Sequence, residues 1–141
     1  MGKTETDLHL FRIWLKAGKT INNRIIDDLK RYGLAADNFS VLELLYNKGP
    51  QHVQPMCDKL MIPSGSITYV VNKLEEKGLV RKVQDENNRR YWKVSLTQEG
   101  EDLFDEIFPQ HVETIQAILD PLTEEQKEEL GKLLKILGLN A

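Results

Sequence analysis

The chain has 141 residues, 40% of them apolar and 29% charged, which suffices for one domain with a buried core and is too short for two large ones. A single cysteine excludes a disulfide framework and any two- or four-cysteine zinc site within one chain. No apolar run approaches the roughly 18 residues of a membrane span, and the polar start Met1-Gly2-Lys3-Thr4-Glu5 lacks a signal peptide's apolar stretch, so the expectation is a soluble, cytoplasmic protein with no membrane partner. The net charge of −3 argues at first against nucleic acid. Resolved along the chain it is +3 over residues 1–32, −1 over 33–63, +3 over 64–93 and −8 over 94–141, so the acidity sits in the tail and the middle is mildly basic.

Leu8, Phe11, Trp14 or Leu15, Ile21, Ile25, Leu29 and Tyr32 recur at three- and four-residue steps and predict a long amphipathic helix over 7–32, stopped by Gly33. A second helix is predicted over 37–47, capped by Asp37 or Asn38 and ended by Gly49-Pro50. A short third helix over 53–60 carries Val53, Met56, Cys57 and Leu60 on one face and tolerates Pro55 in its first turn. After Met61-Ile62-Pro63, Ser64 is expected to cap a fourth helix running to Lys77 and stopped by Gly78. Leu79–Val83 and Tyr91–Leu96 read as strands around the polar loop Gln84–Arg90, a hairpin with a charged tip. Thr97 opens a further helix that Pro109 should kink or interrupt and Pro121 should end. Thr123-Glu124-Glu125-Gln126 is a capping box for a last helix with Leu130, Leu133, Leu134 and Leu137.

Helix, tight turn, helix and hairpin over 53–96 make a winged helix-turn-helix pattern, and the fold class is mainly α with a small β-hairpin wing. The fourth helix sharpens the functional reading. Ile67, Val70, Val71 and Leu74 form its core stripe, while Gly65, Thr68, Tyr69 and Asn72 lie opposite, flanked by Ser66 and Lys73, with no acidic residue before Glu75. An ordinary solvated face would be richer in Lys and Glu. This one suits DNA: Asn can pair two-point with adenine, Thr can touch a thymine methyl, and Tyr and Lys reach phosphates. At the hairpin tip Arg89 and Arg90 can enter a narrow minor groove.

The runs Phe39-x-Val41-Leu42-x-x-Leu45, Gly49-Pro50, Ser66-Ile67-Thr68-x-x-Val71-x-x-Leu74-Glu75-x-x-Gly78-Leu79-Val80, Arg89-Arg90 and Leu96-Thr97-x-x-Gly100 resemble the MarR family of bacterial regulators over essentially the whole chain. Within that family, Tyr32-Gly33-Leu34, Phe39–Tyr46, Ser66–Val71 and Ile107-Phe108-Pro109 are similar to the methylhydroquinone-responsive repressors. The resemblance implies a single MarR-type domain over 1–141, with 7–32 and 98–141 as dimerisation helices and 37–96 as the DNA-binding lobe. It implies a homodimer on a pseudo-palindromic operator in double-stranded DNA, and a repressor released by a small aromatic or phenolic effector or an oxidative signal. Carried onto this chain, Ser64, Ser66, Thr68, Tyr69, Asn72 and Lys73 face the major groove, and Arg89 or Arg90 enters the minor groove. One position departs from the family pattern. The residue before the paired arginines, usually an aspartate that can hold one of them, is Asn88, and Asp85 is a candidate substitute.

Cys57 sits where a small apolar residue is expected, which favours packing over redox sensing. His9, His52 and His111 have no metal-ligand spacing, and no cofactor or metal is expected. Nothing resembles a P-loop, a dinucleotide fingerprint or a nucleophile elbow, so no catalytic residue is assigned and no enzyme is expected. A winged-helix module that binds protein and never DNA is the competing reading.

Overall fold

A computed structural model describes residues 2–138, the side chain of Ser64 excepted. Its elements are α1 (Lys3–Arg31), α2 (Ala36–Lys48), β1 (Gln51–His52), α3 (Val53–Leu60), α4 (Ser64–Glu76), β2 (Val80–Gln84), β3 (Trp92–Leu96), α5 (Gln98–Leu119) and α6 (Glu124–Ile136). The chain forms two compact units, Ile26–Pro109 and Met1–Ile25 with Gln110–Ala141.

The Ile26–Pro109 unit is the winged helix-turn-helix. Its core takes Val41, Leu42 and Leu45 from α2, Met56 and Cys57 from α3, Ile67, Val70, Val71 and Leu74 from α4, Val80 and Val94 from the sheet, and Phe104 and Ile107 from α5. The predicted core stripe of α4 is therefore the buried one. Aromatic rings tie α2 to α5: Phe104 lies 5.2 Å between centroids from both Phe39 and Tyr46. The Tyr46 hydroxyl donates to Asp105 at 2.6 Å, a bond that raises the Tyr46 pKa above its ordinary value.

The helix stops follow from backbone geometry. Gly33 and Gly78 adopt φ of +70° and +77°, which a side chain at either place would strain. Met61, at φ 55°, takes the same left-handed conformation without being glycine and closes α3, its N–H bonding to the Cys57 carbonyl. That single residue makes the turn between α3 and α4 tight.

Several local expectations are corrected. The α1 helix starts at Lys3, before residue 7. Neither Asp37 nor Asn38 caps α2; Ala35 holds the N-cap position and Asp37 lies in the first turn, where its charge meets the helix dipole. Ser64 is the first residue of α4 and Pro63 the cap, because an extended proline with fixed φ delivers the chain directly into the helix. The wing gains a strand, β1, which pairs antiparallel with β3 (Gln51↔Val94, His52↔Lys93) to give the sheet order β1-β3-β2. Pro109 lies inside α5 and does not end it; a proline withholds one N–H, and the turns on either side keep their own bonds.

In the second unit, the capping box forms as predicted: Thr123 Oγ1 accepts from the Gln126 N–H at 3.1 Å, and Gln126 Oε1 from the Thr123 N–H at 2.9 Å. Here Leu10, Phe11 and Trp14 of α1 and Leu130, Leu133 and Leu134 of α6 line an open groove of about 530 Å³.

Candidate nucleic-acid interface

The helix α4 presents Ser66, Thr68, Tyr69, Asn72 and Lys73 outward as exposed residues. They fall into two groups. Tyr69 and Lys73, one turn apart, touch each other, the Lys73 ammonium lying 5.6 Å from the Tyr69 ring centre. Thr68 and Asn72 face the wing and line a cleft of about 320 Å³ with Gln54, Lys82, Arg90 and Trp92. Ser66 belongs to neither group, and the side chain of Ser64 lies outside the described residues.

Lys82, on β2, organises the junction of α4 and wing. In the β2–β3 register it lies opposite Val94, on the sheet face that also carries buried Val80. Its Nζ donates to Asn72 Oδ1 at 2.7 Å, and its backbone N–H donates to Glu75 at 3.1 Å. The ammonium also lies 5.7 Å from the Trp92 ring centre. The carboxamide of Asn72 is thus oriented by Lys82. A two-point contact to adenine, which needs both the oxygen and the nitrogen, would have to share or displace that bond.

The wing loop is built by side chains bonding to its own backbone. Asp85 Oδ1 accepts from the Asn87 N–H at 2.9 Å, and Asn88 Oδ1 from the Arg90 N–H at 3.1 Å. Gln84 Nε2 donates to the Arg89 carbonyl at 2.6 Å. Asn88 therefore holds the backbone of Arg90, where an arginine side chain was the expected partner. Asp85 does not substitute for the family aspartate either: its second oxygen takes His52 Nε2 at 2.8 Å. Asn88 is diverted because a short polar side chain in a tight loop reaches the nearby amide first, and Asp85 because the Asn87 N–H and the His52 imidazole take its two oxygens. Arg89 and Arg90 are exposed, and among the described residues neither guanidinium has an ion-pair partner.

The Asp85 carboxyl is held below its ordinary pKa, first by the hydrogen bond from His52 and then by the Asn87 N–H. A carboxylate lowered in the folded state stabilises fully above the ordinary value of about 3.9 and loses that contribution as pH falls further. The Asp85→Asn variant is thus expected to show a shallower loss of melting temperature on acidification below about pH 4. Parallel acid limbs for variant and parent would refute this.

Cys57 is buried on the inner face of α3, its Sγ donating to the Val53 carbonyl at 3.4 Å. No cluster of metal-ligating side chains occurs among the described residues, and no helix there is long and apolar enough to cross a membrane.

Comparison with known proteins agrees with this geometry. The MarR family model matches residues 34–91, the stretch from the start of the second helix to the wing. The HTH-type transcriptional regulator MhqR of Bacillus subtilis is 41% identical over 138 residues, covering 98% of this chain and 95% of that protein. Among solved structures, Sco3205 of Streptomyces coelicolor, a MarR-family regulator in complex with DNA, superimposes with a TM-score of 0.87 at 22% identity, over 97% of this chain and 87% of that one. NadR in complex with 4-hydroxyphenylacetate superimposes with a TM-score of 0.76 at 26% identity, over 91% of each chain. The match to MhqR over nearly its whole length carries the assignment beyond a shared fold: the chain belongs to the MarR family of transcriptional regulators.

Proposed function

We propose that this regulator binds a pseudo-palindromic operator as a homodimer in the cytoplasm and acts as a repressor released by a small aromatic or phenolic effector. In this reading α4 lies in the major groove with Ser64, Ser66, Thr68, Tyr69, Asn72 and Lys73 toward the duplex, and Arg89 or Arg90 enters the adjoining minor groove. The observation that carries it is the pairing of an outward α4 face free of acidic residues up to Glu75 with two wing-tip arginines whose guanidinium groups have no ion-pair partner among the described residues. That is what phosphate neutralisation and base contact require.

The second copy is supported by the groove between α1 and α6. Leu10, Phe11, Trp14, Leu133 and Leu137 there leave between 46% and 69% of their surface exposed, a contiguous apolar face that a stable fold covers. The effector class is an extension from 4-hydroxyphenylacetate in the NadR structure and from the similarity to MhqR. A ligand releases DNA only if it binds the unbound state more tightly than the bound one.

The test is binding of the purified protein to duplexes from its own upstream region, followed by fluorescence anisotropy across ionic strength. Sub-micromolar binding at moderate salt is expected. So are two chains per duplex by light scattering, and a steep, log-linear loss of affinity with salt. A protein that no duplex captures below about micromolar would be better described as the protein-binding module.

A further inference from the structure

We propose that His52 is a positioning residue that holds the wing in its DNA-competent form by fastening the base of the wing loop to strand β1. This rests on the DNA-binding reading above, which the experiment below tests separately. The contact joins residues 33 apart in sequence: His52 Nε2 lies 2.8 Å from Asp85 Oδ2, with the edge of the Tyr91 ring against the imidazole at 6.1 Å between centroids. Asp85 is the keystone of the loop. Its other oxygen takes the Asn87 N–H at 2.9 Å, and its own N–H closes the loop onto the Tyr91 carbonyl at 2.9 Å. The Tyr91 N–H in turn donates to the Asn88 carbonyl, and the Asn88 side-chain oxygen accepts from the Arg90 N–H, so the chain of bonds that starts at His52 ends at the wing arginines.

The anchor end is itself fixed. β1 pairs with β3, and the neighbouring Gln51 accepts from Lys59 of α3 at 3.0 Å. The wing loop is thereby connected to the helix-turn-helix by side chains as well as by its strands. A loop ordered before it meets the duplex loses less conformational freedom on binding, so this link should raise operator affinity without touching DNA.

Around His52 stand Asp85 and Tyr91 from the wing loop, Lys93 opposite it on β3, and Asp58 of α3 across a shared cleft of about 400 Å³.

The experiment measures anisotropy of the operator duplex selected above for the parent, His52→Ala and His52→Gln. His52→Ala should bind about threefold more weakly, the scale of an exposed polar pair. His52→Gln, whose amide can donate to Asp85, should recover most of the affinity. Amide exchange at Asn87 and Arg90, measured without DNA, should quicken in the alanine variant and return in the glutamine variant. Parental affinity and amide exchange in His52→Ala would overturn the proposal while leaving DNA binding intact. Failure of the parent to bind any duplex would strike the underlying reading instead, with the exchange data still deciding whether His52 fastens the loop.

Discussion

Replacing Arg89 and Arg90 together by alanine is expected to weaken operator binding by about 30- to 700-fold while leaving the melting temperature unchanged. The separation of the two effects follows from the loop. Both side chains are exposed, and among the described residues neither guanidinium is bonded to the protein, so their loss removes nothing that holds the fold. What positions them is backbone: Asn88 Oδ1 on the Arg90 N–H and Gln84 on the Arg89 carbonyl, neither of which the substitution disturbs. Each arginine lost from a groove or phosphate contact costs about 1–2 kcal/mol, and about 1.4 kcal/mol is tenfold in affinity, which gives the range stated. The dependence of affinity on salt should flatten at the same time, since fewer counterions are released. Anisotropy at several salt concentrations, with circular dichroism melts alongside, reads both. An unchanged operator affinity would remove the wing from the mechanism.

The Gly100→Ala variant is expected to lose about 3 kcal/mol or more of stability, the scale of a severe core clash. Gly100 is buried at the start of α5, and a Cβ built there falls well under 3.0 Å from the Leu79 carbonyl oxygen and 3.2 Å from Leu96. The nearer obstacle is backbone, and it is not free to retreat. The same Leu79 carbonyl accepts from the Thr97 N–H at 3.1 Å, and Thr97 Oγ1 both donates to the Gly78 carbonyl at 2.6 Å and accepts from the Gly100 N–H at 3.1 Å. Making room would break the joint between the end of α4, the hairpin and α5. A fall in melting temperature of about 10 °C follows for a chain of this size. Gly65→Ala is the control, because nothing lies within 4 Å of its added methyl in α4, and its melting temperature should hold or rise. Equal melting temperatures for parent and Gly100→Ala would show that the joint yields after all.

Most of this fold could be read from periodicity and punctuation. The stripe Ile67, Val70, Val71 and Leu74 is buried as its spacing dictates, Gly33 and Gly78 end their helices, and Thr123 with Gln126 forms its box. Such features are local, so a few neighbouring residues determine them. What escaped was set by partners distant in sequence. β1 has only two residues and no alternation to show, and it exists because β3 offers it an edge. His52 looked isolated because the residue it bonds comes 33 positions later. The caps failed for a related reason, since Asp37 and Ser64 are good capping types, but Ala35 and Pro63 already held the extended geometry that starts each helix. For the interface, the exposed polar face of α4 and the arginine pair were legible, whereas the Lys82–Asn72 bond needed the strand register to be seen.

The sheet order β1-β3-β2 leaves β2 as an outer edge, of which the Lys82 N–H is already taken by Glu75. Operators gather regulators at high local concentration, where an open edge invites sheets to merge and aggregate. β2 resists this by being five residues long and by carrying Arg81 and Lys82 in sequence, so that a second copy brought alongside meets like charge before it meets a hydrogen bond. The basic residues of β2 thus work against edge pairing between neighbouring wings.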